Sequence, residues 1–438
     1  MDGSSTHRGQ DMAEKYEVRR FRAAGKDTDA YGDCAAWVQA VGFGFHDARR
    51  SDEFVDKVLA NYRADDGELT GVYQAGDVAP HSLAADVPVA TFASLRKDLN
   101  IGYGRQLRAQ LVTAVTVRGT HRRRGLLRRM MTEDLAASKA DGLAVAALTA
   151  SEASIYGRFG FGVATFERSV KVDAGPRFRL RHAAAGTVEI ADRKVVLELA
   201  PQVFARVHRA TPGSIVRQEA YRQRASGSFG RDGGEDEAIR CALHYDAAGT
   251  VDGYVAYKFA GWDTKPYTVE IVDLVAATDD AYLELWQFLG SIDLIERISW
   301  QDAPVDDPLV WALDDPRCIE SSDHRDMLRI LDTDKALGAR RYPVDGSLVL
   351  SVTDGLGFAA GTFLLEVTEG EAAVSAAPPG AAPELTLDVA HLGSIYLGAV
   401  CPVTLTAAGK ITEHAPGAAL KARLMFAVER APHCLTHF

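Results

Sequence analysis

Residues 111–128 read LVTAVTVRGTHRRRGLLR, and the change of pattern inside this stretch sets the fold class. Leu111 to Val117 is an apolar, β-branched run, the signature of a buried strand. A short polar turn follows, then Arg122, Arg123, Arg124 and Gly125. From there the apolar residues fall at Leu126, Leu127, Met130, Met131 and Leu135, the spacing of one helix face. A strand that passes through Arg-x-x-Gly into a helix builds an anion site. The first backbone N–H groups of the helix have no partner within it, and the helix dipole favours negative charge there. Gly125 lets the backbone approach a phosphate with no Cβ in the way, and the arginines add charge-assisted contacts. The arrangement suits the pyrophosphate of a CoA-type cofactor. It lacks the Gly-x-x-x-x-Gly-Lys of a P-loop and the three glycines of a dinucleotide-binding turn. The competing reading is an ordinary strand–turn–helix with a solvated basic patch.

The stretch 143–163, LAVAALTASEASIYGRFGFGV, carries the second half of the pattern. Leu143 to Thr149 is a short apolar run, hence another buried strand. Ser151 is placed to cap a short helix, with Ser154 and Ile155 in its first turn. With these residues in view, the chain resembles the GCN5-related N-acetyltransferase superfamily, whose pyrophosphate loop is written Arg/Gln-x-x-Gly-x-Gly/Ala. Here the loop is Arg122-Arg123-Arg124-Gly125-Leu126-Leu127, with Leu127 in place of the last small residue. THRRRGLL followed by TASEASIYGRFGFG is similar to one branch, the enhanced intracellular survival (Eis) acetyltransferases. The close match spans residues 105–170, and the length and order of parts of the whole chain fit the branch.

The resemblance implies an acetyl-CoA-dependent enzyme that acetylates aminoglycoside amines at several positions, and it implies a site residue by residue. Backbone amides at Val115, Thr116 and Val117 would orient the pantetheine and the thioester carbonyl. Arg123, Arg124, Gly125, Leu126, Leu127 and Arg128 would hold the pyrophosphate. Ser151 and Glu152 would face the cofactor across the cleft. Tyr156 would be the general acid: a phenol with an ordinary pKa near ~10 is protonated at neutral pH and can donate to a departing thiolate. Taken alone, Tyr156 reads more readily as packing beside Phe159 and Phe161. The base implied by the family is the C-terminal carboxylate, here on Phe438. A free carboxylate of pKa about 3.3–3.7 is a weak base and needs desolvation or a relay water; His437 is the alternative. Phe43, Phe45 and Phe54, with Asp47, Asp52 and Glu53, fall where the family lines its acceptor cleft, and read equally as helix core and solvated charge.

The chain has 438 residues, 47% hydrophobic and 25% charged, an ordinary globular mix long enough for two to four domains. No run of about 18 apolar residues predicts a membrane span. Five widely spaced cysteines give neither a metal spacing nor an even disulfide set. Together with a polar N-terminus, they lead us to expect a cytoplasmic protein without a metal. The net charge of −11 argues against a nucleic-acid partner and suits either a polycationic substrate or plain solubility. Six arginines between 118 and 129 run against that sign. The resemblance further implies a homohexamer. Two rival functions stand beside the first: a protein lysine acetyltransferase, and a lipid or sterol carrier with a vestigial acetyltransferase domain.

The expected fold is α/β (α+β). Residues 1–14 read as a disordered tail. Residues 15–168 follow the β-α-α-β-β-β-α-β-α-β order of an acetyltransferase domain that binds acetyl-CoA. Residues 169–320 read as a degenerate second copy. A hairpin turns at 247–249, Tyr267 to Ala277 is a strand, and a helix capped by Thr278 follows. Asp279 and Asp280 stand where the first copy has arginines, so this copy should not hold a pyrophosphate. Residues 321–438, with four short strands and helical stretches near 388–396 and 416–427, resemble the sterol carrier protein fold and bring the C-terminus. One prediction belongs to the anion turn. Reversing charge at Arg123 and Arg124 should weaken acetyl-CoA binding at least about tenfold, or about 1.4 kcal/mol. Calorimetric titration checks this, and unchanged affinity would leave the turn a purely structural feature.

Overall fold

The computed structural model describes residues 15–149, 153–181, 185–407 and 410–438. The expected tail 1–14 and the positions of Ser151 and Glu152 lie outside the described residues. The first unit runs β1 (Tyr16–Arg22), α1 (Tyr31–Gly44), α2 (Asp52–Ala64), β2 (Glu68–Gln74), β3 (Ala90–Gly102), β4 (Arg105–Val117), α3 (Leu126–Ala140), β5 (Val145–Thr149), α4 (Ala153–Tyr156) and β6 (Gly162–Asp173). The second runs β7 (Thr187–Ala191), α5 (Val196–Ala210), α6 (Ala220–Ala225), β8 (Arg240–Tyr245), β9 (Val251–Phe259), β10 (Thr268–Ala276), α7 (Asp279–Gly290), β11 (Arg297–Pro304), α8 (Pro308–Ala312) and β12 (Ile319–Ile330). The third holds α9 (Thr333–Ala339), β13 (Gly346–Thr353), β14 (Gly361–Thr368), β15 (Glu371–Ala376), β16 (Leu385–Asp388), α10 (Val389–Tyr396), α11 (Pro402–Ala407), β17 (Ile411–Glu413) and α12 (Ala418–Met425).

Local chemistry accounts for the ends of several elements. The Ser51 hydroxyl accepts from the Phe54 N–H and starts α2, and Thr278 does the same for α7 through Ala281. Helix α3 differs: it begins at Gly125 in the left-handed region, φ 79°, with no side-chain cap. Its buried residues include Leu126, Met130, Met131 and Leu135, the stripe read from the sequence.

The first two units share one sheet of twelve strands, ordered β1-β2-β3-β4-β5-β12-β6-β11-β10-β9-β8-β7. Each unit hands its last strand to the other. β12 lies against β5, β6 lies against β11, and β6 and β12 pair antiparallel from Val172↔Ile319 to Gly162↔Leu328. The boundaries expected at 168 and at 320 therefore both fall inside strands, and a cut at either would sever the shared centre of the sheet.

The third unit has a separate five-stranded sheet, β15-β14-β13-β16-β17. Its interior is filled by its own side chains, among them Leu348, Leu365, Leu387, Tyr396 and Phe426, and it shares one apolar core with Leu111, Val145 and Leu328 of the large sheet. Helix α10 packs directly on β6 and β12. A Cβ on Gly162 would lie 1.7 Å from the Ala390 carbonyl oxygen, so the last glycine of the Gly-Arg-Phe-Gly-Phe-Gly stretch answers to packing against α10. No helix among the described residues is long and apolar enough to cross a membrane.

The strand exchange predicts that neither unit closes alone. A fragment of residues 15–173 lacks β12, leaving β5 and β6 with unpaired edges. It should show no cooperative urea transition, whereas residues 15–330 should show one. A sharp transition in the short fragment would contradict the exchange as a folding requirement.

Candidate functional site

The site is built on a parting of strands. β4 pairs in parallel with β5 only from Ala109↔Val145 to Leu111↔Ala147. Against β3, the register slips between Thr91↔Thr116 and Ala93↔Thr113, and Ala114 takes a positive φ of 51°. Such a bulge bends the strand and re-aims the residues beyond it. The Thr91 hydroxyl donates to the Ala114 carbonyl at 2.9 Å and lies 2.7 Å from the Thr116 hydroxyl. Past Leu111 the β5-facing backbone of β4 has no ladder partner among the described residues. A cavity of about 470 Å³ opens in the wedge, with Val115, Thr149, Tyr156 and Phe438 on its walls. Val115 and Val117 are half-buried and Thr116 is buried.

The anion turn divides the arginines by role. Arg124 donates to the Tyr16 hydroxyl at 2.7 Å and to the Thr120 carbonyl at 3.0 Å, so it builds the turn. Arg118 is taken up by the carbonyls of Val87 and Pro88, and Arg129 by Glu133. Arg123 and Arg128 are exposed and have no hydrogen-bond or ion-pair partner among the described residues. Beside the uncapped start of α3 they are the cations at hand for an anion. Leu126 is buried and Leu127 packs against the same core, so both support the turn from below.

Tyr156, at the end of α4, is half-buried and meets Phe161 edge-on at 6.3 Å between ring centres. Opposite it comes the C-terminal segment, which is anchored along its length. The His433 ring nitrogen meets the Asp302 carbonyl at 2.9 Å. The fully buried Thr436 donates to the Ile215 carbonyl at 2.8 Å. The Tyr221 phenol donates to the His437 carbonyl at 3.1 Å and accepts the His437 N–H. The Phe438 N–H donates to the Thr149 hydroxyl at 3.2 Å. Tyr156 and Phe438, 282 residues apart in sequence, thus line one cavity.

The same cavity holds an acidic wall that the sequence reading missed: Glu167 from β6, Asp302 from β11 and Asp326 from β12. His437 stands 3.4 Å from Glu167 and 3.2 Å from Asp302, at ion-pair distance. Burial alone would lower the imidazole pKa, but Asp302, Glu167 and Asp326 outweigh it and raise the pKa to about 9. At neutral pH this shift favours the imidazolium, whose ring nitrogens both donate. Burial, and then repulsion from Asp326, push Glu167 well above the usual carboxylate range. Burial also raises Asp326, while His437, Thr149 and Thr165 hold it down. Glu167, Asp302 and His437 each offer an atom within 4.8 Å of the others, a spacing that a cation could also use. The three acids lie on three different strands, each with other polar residues around it, so no local pattern in the sequence marks them as a group.

The acceptor-cleft candidates separate. Phe45 lines the main cavity. Phe43, Asp47 and Asp52 line an adjoining one of about 440 Å³, with Thr116 and Arg118. Phe54 packs on Phe229 and Glu53 pairs with Lys57, both away from either cavity. In the second unit β10 and β11 part as β4 and β5 do, and at the start of α7 Asp279 is paired with Arg430.

Comparison with known proteins agrees with this architecture. Models of the acetyltransferase (GNAT) domain match residues 32–164 and 213–330, and a sterol carrier protein domain matches residues 333–435. An uncharacterized N-acetyltransferase of Streptomyces griseus is 36% identical over 415 residues, covering 92% of this chain and 96% of that protein. The N-acetyltransferase Eis of Mycobacterium tuberculosis is 35% identical over 309 residues, 68% of this chain and 72% of that protein. The crystal structure of Eis1 from Mycobacterium abscessus superposes with a TM-score of 0.77 at 25% identity, over 97% of this chain and all of that one.

The imidazolium gives a pH prediction. An ordinary histidine pKa is about 6.5 in the unfolded chain, against about 9 in the fold. A raised pKa stabilises the fold fully below the unfolded value, and the contribution fades as pH rises through the folded one. The stability difference between wild type and His437→Ala should thus be largest below about pH 6.5 and shrink as the pH passes about 9. Because the side chain is 37% exposed, solvent screens part of the effect. Denaturant titrations of both proteins across this range check it; a difference that does not vary with pH would contradict the assignment.

Proposed function

The chain belongs to the Eis family of GCN5-related N-acetyltransferases, and from that premise we propose that it transfers the acetyl group of acetyl-CoA to amines of polycationic small molecules of the aminoglycoside class, at more than one position. The observation that carries this reading is the single cavity in which Tyr156 and Phe438 face an acidic wall of Glu167, Asp302 and Asp326. The acidic side chains of this wall favour an ammonium-rich acceptor, and the net acidity of the chain acts in the same direction. A CoA-type group fits the neighbouring turn: the open helix start at Gly125 and the unpaired Arg123 and Arg128 would take its pyrophosphate, with Leu126 and Leu127 beneath. Arg124 acts indirectly, by holding the turn.

Acetyl-CoA supplies an activated acetyl thioester, and the rest falls to residues of this chain. The β5-facing backbone of β4 at Val115, Thr116 and Val117 orients the pantetheine arm and the thioester carbonyl. A free α-carboxylate on Phe438, directly or through a water, takes the proton that the ammonium must lose before its nitrogen can attack. To act as a base this carboxylate needs desolvation or a relay water, because desolvation favours the neutral acid and so strengthens the base. Tyr156 donates its phenolic proton to the sulfur as the carbon–sulfur bond breaks. On the family resemblance we also propose a homohexamer.

A thiol-release assay with acetyl-CoA against aminoglycoside, polyamine and lysine-peptide acceptors tests the substrate class, and product masses count the acetyl groups. Turnover of the lysine peptide alone would replace this reading with protein acetylation. Tyr156→Phe keeps the ring packing and should lower kcat by ~10²–10⁴, the usual reach of general acid catalysis. Activity within about threefold of wild type, well short of that range, would return Tyr156 to a packing role.

A further inference from the structure

The two acetyltransferase-like units open their sheets in the same way. In the first, three parallel pairs join β4 to β5 before the strands part. In the second, three parallel pairs, Thr268↔Arg297 to Glu270↔Ser299, join β10 to β11 before they part. The second wedge contains a segment of the chain itself. The cavity there, about 620 Å³, is lined by Leu274 and Ala276 of β10, Trp300 of β11, and Arg430, His433 and Leu435 of the C-terminal segment. The contacts run along both walls. The His433 ring meets the Asp302 carbonyl of β11 at 2.9 Å. Arg217, held at 2.8 Å by both oxygens of Asp273 on β10, reaches the Leu435 carbonyl at 3.3 Å. At the start of α7, where the first unit presents Arg123 and Arg128, the second presents Asp279, paired with Arg430 at 2.6 Å. The charges at the two helix starts are inverted.

We propose that the wedge of the second unit is the seat of the chain's own C-terminal segment, and that Tyr221 is a positioning residue that sets the register of Phe438 in the first unit's cavity. Among the second-unit residues that reach His437, Tyr221 is the one whose hydroxyl holds both backbone groups of this penultimate residue, the N–H and the carbonyl. Gln218 adds a second donor to the same carbonyl at 3.3 Å. The exposed Asp279–Arg430 pair contributes little energy by itself, but it fixes which way the segment enters. The unit that looks degenerate thereby has a task in the reaction of its neighbour. The proposal rests on the carboxylate of Phe438 acting as base, and the test separates the two claims.

Tyr221→Phe removes one oxygen and keeps the ring. Thr436→Val removes the buried bond to Ile215 at nearly constant shape. Each variant is measured in the full chain for thermal midpoint, acetyl-CoA affinity by calorimetry, kcat and KM, and the rate at which carboxypeptidase releases Phe438. For Tyr221→Phe we expect a thermal midpoint and acetyl-CoA affinity close to wild type, release of Phe438 faster by about tenfold, and kcat lower by about tenfold or more with KM for acetyl-CoA unchanged, since a misplacement of about 1 Å can cost on the order of 10²-fold. Thr436→Val should move the same two readouts in the same direction. Release at the wild-type rate in both variants overturns the seat, whatever happens to kcat. Faster release with unchanged kcat upholds the seat and overturns the carboxylate as base.

Discussion

The pairing of β6 with β12 is the constraint on which the rest of the molecule depends. These two strands close two half-sheets at once, because each is the last strand of one unit and the neighbour of the other. The exchange also sets the chemistry. It brings Glu167 on β6 and Asp326 on β12 next to each other, with Asp302 of β11 beside them. No single unit owns that acidic wall. The same seam receives α10 from the third unit, at a glycine where even one added carbon would not fit. The cavity is therefore a property of the joint between units, and its geometry is as rigid as the sheet that forms it.

Gathering three acidic side chains in one cavity, two of them buried, would be unfavourable without compensation. The compensation here comes from the far end of the chain. His437 enters between Glu167 and Asp302 as a cation, while His433, four residues earlier, stays neutral, its pKa lowered by burial to about 4. The ionic contact holds the end of the chain where the acid wall needs a positive charge. Any cationic acceptor entering the cavity meets carboxylates that are already partly satisfied, so the acceptor's own charge pattern and that of His437 compete for the same groups.

Much of this was legible in local patterns. The strand–turn–helix from Leu111 to Leu135 is carried by periodicity and one glycine, and both appear in the structure where the pattern put them. The hairpin at 246–250 and the Thr278 cap were equally local. What the sequence could not reveal was long-range. Nothing in Ile319–Ile330 tells that this strand leaves its own unit to lie beside β5, because strand partners are chosen by the global sheet. The acidic wall was invisible for the same reason: Glu167, Asp302 and Asp326 lie on three different strands, and only the exchange makes them neighbours. The arginines were read as one cluster, but hydrogen bonds to Tyr16 and Thr120 set Arg124 apart from Arg123 and Arg128.

The exchanged strands also bear on how the protein is made. Translation delivers β5 and β6 early, yet the strand that belongs between them is not complete until residue 330. At ordinary elongation rates that gap is on the order of ten seconds. During it the nascent chain carries two open sheet edges, the kind of surface that templates aggregation. The finished enzyme hides this exposure entirely. Yield in the cell should accordingly follow translation speed and chaperone supply more closely than it follows the stability of the completed fold.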